Sequence, residues 1–93
     1  MKVTISLGPP LRGMVGQKRV VLELGEAQHS VTDVLEQLAQ RYPLLHAELQ
    51  PDADEFVPYS LFLNRELVRW GQVAQTHVSD GDELSIFMPI AGG

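Results

Sequence analysis

The chain contains no cysteine. That excludes disulfides, cysteine-based zinc sites and a thiol nucleophile. If the protein handles sulfur, no side chain can hold a persulfide, and the reactive sulfur would have to sit on the terminal carbonyl. Long apolar runs are also lacking, and none approaches the roughly 18 residues that cross a bilayer. The start, Met1-Lys2-Val3-Thr4-Ile5-Ser6, is too short an apolar stretch for a signal peptide, so the cytoplasm is the expected location. Positive charge is scarce: seven Lys and Arg face twelve Asp and Glu, a net charge of −5. Such a balance argues against a nucleic-acid binder, which needs a basic patch to displace counterions. No strand–GxxxxGK[ST]–helix phosphate loop is present, so the chain has no nucleotide site of that kind.

What is present fits one domain. Ninety-three residues, 44% hydrophobic and 20% charged, are enough for one modest core. Lys2–Leu7 alternates, with Val3, Ile5 and Leu7 on one face, and reads as a half-buried strand. Gly8-Pro9-Pro10 ends it, and a loop with Gly13 and Gly16 leads to a second strand at Arg19–Leu24. Ser30 and Asp33 stand where a helix N-cap and its N3 partner belong. Val31, Val34, Leu35, Leu38 and Tyr42 then recur at helical spacing, and Pro43 closes the helix. A mixed connection follows, with a short turn near His46–Leu49 and an exposed acidic loop at Pro51–Glu55. Strands are expected at Tyr59–Asn64, Glu66–Val68 and Leu84–Met88, with turns at Asn64-Arg65 and Asp80-Gly81-Asp82. The order predicts an α+β fold: a mixed sheet with one face covered by the main helix.

Strand parity separates two faces. If Leu61 and Leu63 face the helix, Phe62 points away; if Leu84, Ile86 and Met88 do, so does Phe87. Val21 falls on the same outer face. Exposed aromatics on an open sheet face commonly mark a partner surface; the alternative is a cover formed by a loop or the Trp70 segment.

The aromatic face leads into Met88-Pro89-Ile90-Ala91-Gly92-Gly93. Glycine makes up about 7% of ordinary sequence, so a terminal pair arises by chance in roughly one chain in 200. A strand, a stiffening proline and a tail without side chains suit a peptide that enters a narrow cleft and presents its carboxylate. The alternative is a frayed end. From Pro89 to Gly93 an extended tail reaches on the order of 15 Å at roughly 3.3 Å per residue.

The other polar groups have ordinary explanations. His29, His46 and His77 lack metal-ligand spacing and read as surface histidines. Asp52, Asp54 and Glu55 lack the twelve-residue calcium-loop pattern, and Asp80, Asp82 and Glu83 read first as a turn. Ser30 is accounted for as a cap, and Trp70 as a packing residue. Arg12, Lys18 and Arg19 read as solvated loop charges, with contact to an acidic partner as the alternative.

Together, the strand and helix order, Asp80-Gly81-Asp82-Glu83 and the ending Phe87-x-Pro89-x-Ala91-Gly92-Gly93 resemble the ubiquitin-like β-grasp sulfur carriers. The resemblance spans essentially the whole chain and is closest to the small subunit of molybdopterin synthase and the thiocarboxylate carrier of cysteine biosynthesis. Two long connections, Gly8–Lys18 and Trp70–Val78, set it apart from the compact thiamine-pathway carriers. The resemblance implies a β-grasp domain over residues 1–88 and a flexible tail over 89–93. It implies that Gly93 is adenylated by an E1-like adenylating enzyme and converted to a thiocarboxylate, with Ala91 and Gly92 threading that partner's channel. Further implied partners are a sulfur donor or sulfurtransferase and a sulfur-accepting synthase or large subunit. ATP and magnesium would be used by the activating enzyme, with no cofactor on this chain.

By the same resemblance Phe87 lies at a partner interface, Phe62 joins it by parity, and Pro89 and Ile90 continue it. The chain would then be a protein co-substrate or a small non-catalytic subunit. Two alternatives stand beside this reading: a ubiquitin-like modifier joined to lysines through Gly93, and a β-grasp interaction domain with an inert tail.

Overall fold

The computed structural model describes residues 1–49 and 59–88. The expected acidic loop at Pro51–Glu55 and the tail residues Pro89, Ile90, Ala91, Gly92 and Gly93 lie outside them. Five strands form the main sheet: β1 (Lys2–Leu7), β2 (Arg19–Glu23), β4 (Ser60–Leu63), β5 (Glu66–Val68) and β7 (Glu83–Phe87). Their order is β2-β1-β7-β4-β5. β1 and β7 run parallel in its interior, and every other pair is antiparallel. The helices are α1 (Leu11–Val15), α2 (Val31–Arg41) and α3 (Leu44–Glu48). Two short strands, β3 (His29–Ser30) and β6 (His77–Val78), pair separately. This is the β-grasp arrangement that the resemblance implied, within the α+β fold that the element order predicted.

One face of the sheet and one stripe of α2 make the core. Val3, Ile5, Leu61, Leu84 and Ile86 from the strands are fully buried, as are Val31, Val34 and Leu38 from α2. The described residues contain no buried charged side chain. No helix among them is long and apolar enough to cross a membrane.

The expected capping box is present at α2. The Asp33 N–H donates to Ser30 Oγ at 3.3 Å, and the Ser30 N–H donates to the Asp33 carboxylate at 2.8 Å. Backbone satisfies two further free donors of that first turn: Val31 N–H reaches the Thr76 carbonyl at 2.8 Å and Thr32 N–H the Val73 carbonyl at 3.2 Å. The Trp70–Val78 connection is thus a clamp on the start of the helix. It opens with a 3-10 turn at Trp70–Gln72, and the Trp70 indole N–H donates to the Tyr59 carbonyl at 2.7 Å. Trp70 therefore packs, as its sequence context indicated.

Four details differ from the sequence reading. Gly8–Lys18 is not all loop, because α1 lies within it and buries Leu11. The prolines before it and Gly13 inside it mask the helical signal. Tyr42 is half-buried and caps α2 at φ −129°, with the Arg41 guanidinium 5.5 Å from its ring centre. It has left the helical stripe because the residue before a proline avoids helical dihedrals. Leu63 faces inward but is only half-buried, at the last position of β4. Met88 does not face the core: β7 stops at Phe87, the alternation stops with it, and Met88 is 42% exposed.

The two acidic-turn aspartates do structural work. Asp80 accepts from the Lys2 N–H at 2.7 Å, and Asp82 from the Ser79 N–H at 2.7 Å. Asn64 and Arg65 form the β4–β5 turn with φ of 51° and 77°, the two positive values of a type I′ hairpin. Asn64 then ties the two turns together: its amide donates to Asp82 Oδ1 at 2.9 Å and accepts from the Glu83 N–H at 3.0 Å.

Candidate functional site

The site is built on the face of the sheet that no helix among the described residues covers. Phe62 on β4 and Phe87 on β7 project there, as parity required. Their rings stack with centroids 5.4 Å apart and planes 1° from parallel. They are diagonal neighbours, since Phe62 stands opposite Ser85 while Phe87 stands opposite Ser60. Phe87 remains 37% exposed, so the pair is packed but not covered. The Trp70 segment, the alternative cover, is engaged at Tyr59 and at the start of α2 instead.

Leu67, 61% exposed, stands opposite Phe62 on the edge strand β5 and widens the apolar surface. Sequence reasoning missed it because a three-residue strand offers little periodicity. The signal was nonetheless there: Val68 inward puts Leu67 outward. Val21 shares the face but not the cluster. It lies across from Thr4 on β2, with β1 and β7 between it and Phe62.

A close backbone approach supports Phe87. Gly8 N–H donates to the Ile86 carbonyl at 3.0 Å, and a β-carbon built on Gly8 would lie 2.7 Å from the Phe87 β-carbon. Only glycine leaves that aromatic its place beside β1. Elsewhere on the face, Arg19 and Glu83 sit 3.9 Å apart with both side chains well exposed, a pair worth at most about 1 kcal/mol.

Behind the sheet, Tyr59 is only 3% exposed and its hydroxyl donates to Glu48 at 2.9 Å. Burial, then the hydrogen bond and the charge of Glu48, push its pKa up to about 12. A groove of about 620 Å³ runs between α2 and α3, with Leu35, Ala39, Pro43 and Leu49 among its walls. It opens on the helix layer, away from the aromatic face.

The histidines do not assemble a metal site. β3 and β6 bring His29 and His77 to neighbouring registers, whereas His46 lies on α3. No group of three or more potential ligands occurs among the described residues. Ser30 is occupied as a cap, without a histidine-based triad. The structure thus unites Phe62 and Phe87 and adds Gly8 and Leu67. The chain leaves this cluster at Met88 toward the tail.

Residues 12–93 match the model of the ThiS family. The chain belongs to the ThiS family. It is 32% identical to small archaeal modifier protein 3 of Haloferax volcanii, over the whole of both chains. The ThiS-family chain is also similar to solved structures. In the BexX/CysO complex of Amycolatopsis orientalis it matches a chain at 29% identity and a TM-score of 0.76, covering 98% of this chain and 99% of that one. A putative molybdopterin converting factor subunit 1 from Pyrococcus furiosus superposes with a TM-score of 0.77 at 24% identity, over 97% and 99% of the two chains. That likeness bears on the fold alone. The ThiS-family chain is therefore a ubiquitin-like β-grasp protein.

Proposed function

We propose that the chain is a sulfur carrier whose reactive group is the carboxyl of Gly93. At neutral pH that group, with an ordinary pKa of about 3.3–3.7, is an anion and a poor electrophile. An adenylating partner would use ATP and magnesium to join the carboxylate oxygen to AMP, releasing pyrophosphate. Hydrosulfide delivered by a donor protein then attacks the acyl carbon, the carbon–sulfur bond forms as the carbon–oxygen bond to AMP breaks, and a thiocarboxylate remains. That group is itself nucleophilic: its sulfur displaces a leaving group from an electrophilic carbon of an acceptor bound on another protein, and water then cleaves the acyl–sulfur bond and returns the Gly93 carboxylate. The chain acts as a co-substrate throughout. Its own contribution is to dock and to deliver the tail.

The observation that carries this reading is the placement of the aromatic pair. Phe62 and Phe87 stack on an uncovered face one residue before the chain turns into Met88 and the diglycine tail. Ala91 and Gly92 would thread the partner's channel, with Pro89 and Ile90 at its mouth. The similarity at 29% identity to a chain of the complex named BexX/CysO supports the carrier reading, and the sequence resemblance extends the choice of acceptor to cysteine or molybdopterin synthesis. The absence of cysteine leaves the terminus as the place for sulfur.

Intact mass of the protein from its own cells, before and after a thiol-alkylating reagent, tests the reading. A form heavier by the exchange of oxygen for sulfur, and alkylated once, is expected. A mass that stays unmodified and unreactive, even with ATP, magnesium, the activating enzyme and a sulfur donor, would favour the inert domain. A second reading, conjugation of activated Gly93 to lysines, rests on the modifier named at 32% identity. Branched peptides joining Gly93 to a lysine would favour it.

A further inference from the structure

Charge is distributed along the strands in a way that the family assignment does not explain. β1 and β7 run toward one end of the sheet, and β2, β4 and β5 have Arg19, Ser60 and Val68 at that same end. It is the end from which β7 continues toward the tail. The connection 8–18, which crosses it, contains no acidic residue but carries Arg12 and Lys18. These two line one shallow depression with Gly13, Gly16 and Gln17. Arg69, directly after Val68, falls one step beyond the last β4–β5 pair, opposite Ser60, which itself faces Phe87. It therefore stands in the same cross-strand row as the aromatic. All three cations are exposed, and none has a carboxylate within ion-pair distance among the described residues. The opposite end carries Glu23, Glu66, Asp82 and Glu83 against the two cations Lys2 and Arg65.

We propose that Arg12, Lys18 and Arg69 form a cationic docking pole that receives an acidic protein surface around the mouth of the activating partner's cleft. The proposal rests on the carrier reading above and names the chemistry of that partner. Two observations favour a protein surface. Arg69 stands in the row of Phe87 beside the apolar Phe62, Phe87 and Leu67, and Arg12 and Lys18 extend the positive charge across the same end of the sheet. The three cations do not converge on a pocket sized for a phosphate. The acidic far end would be repelled by the same partner surface, so the chain approaches with its tail foremost. Orientation of this kind acts mainly on the rate of encounter.

ATP–pyrophosphate exchange by the adenylating enzyme of the same cells, with this chain as co-substrate, tests the pole. Variant R12E/K18E should raise KM about tenfold and leave kcat unchanged, because the tail is intact. Variant K2E/R65E makes the same change in net charge at the other end and should shift KM less than about twofold. The wild-type KM should rise with salt between about 0.05 and 0.5 M, where the Debye length shortens severalfold, and that of R12E/K18E should rise much less. R69E supplies an independent variant outside the 8–18 connection. Equal effects from the two double variants, or none from R12E/K18E, overturn the pole while leaving the carrier reading intact. Binding of a single-stranded oligonucleotide lost in R12E/K18E, with exchange unaffected, overturns it in favour of a nucleic-acid surface. No exchange with the wild-type chain, from an enzyme that activates another diglycine-tailed protein, overturns the carrier reading itself and the pole with it.

Discussion

Gly8 and Phe87 are packed so closely that a β-carbon on the first would sit 2.7 Å from the β-carbon of the second. The atom it would meet belongs to the root of a side chain, which cannot swing aside. Gly8→Ala should therefore push β7 or the ring out of place at a cost of about 1–3 kcal/mol. Denaturant titration checks the loss. NMR of the Phe62 ring, whose shifts report the stacked neighbour, checks the displacement.

Phe87→Asp tests the surface rather than the fold. The ring is 37% exposed, so the thermal midpoint should fall by only a few degrees. Activation by the adenylating partner should fall about tenfold or more, as for an aromatic at the centre of an interface. Outright unfolding of this variant would overturn the face assignment.

Tyr59 makes stability depend on alkaline pH. Its folded pKa, raised to about 12 against an ordinary 10.0, means that the folded state holds the proton more tightly. Its contribution is complete below about pH 10 and is lost as pH rises through 10 to 12. Thermal midpoints of wild type and Tyr59→Phe between pH 8 and 12 should therefore converge at the alkaline end. A constant gap across the range would contradict the hydrogen bond to Glu48 as its source.

The capping box predicts a measurable coupling. Ser30→Ala should cost about 1 kcal/mol, which for a domain of this size lowers the midpoint by roughly 4–8 °C. Asp33→Ala should cost a similar amount. Because the two residues hold each other's backbone, the double variant should lose less than the sum of the singles.

Much of this could be read from the chain because its local rules agree. Alternation located β1 and β2, Ser30 with Asp33 located the start of α2, and Asn64 located a hairpin turn. Parity set Phe62 and Phe87 on one face without any contact being known. α1 escaped because five residues with a central glycine give too little periodicity. Leu67 escaped because a three-residue strand shows little alternation, although Val68 inward already put it outward. The role of Gly8 was invisible for a different reason: it depends on β7, far along the chain, passing beside it. The clamp of residues 70–78 on α2 is equally non-local, and only the fold brings Val73 and Thr76 to that helix. The cationic pole likewise emerges only when strand directions are known, since Arg69 is remote in sequence from Arg12 and Lys18.

The last strand in chain order is the third of five in the sheet. β7 pairs with β1 on one side and with β4 on the other, so without residues 83–87 the sheet is two disconnected hairpins. The contacts that close it span almost the full chain, as the 78-residue separation of Lys2 and Asp80 illustrates. Such long-range pairing is slow to form, and its loss divides the fold. In the proposed carrier cycle, a chain that meets its activating partner is thus one whose folding has already finished. An incomplete or unravelling copy loses the strand that holds Phe87 beside Phe62, and with it the surface that a partner would grip. In that cycle foldedness itself becomes the condition for being charged.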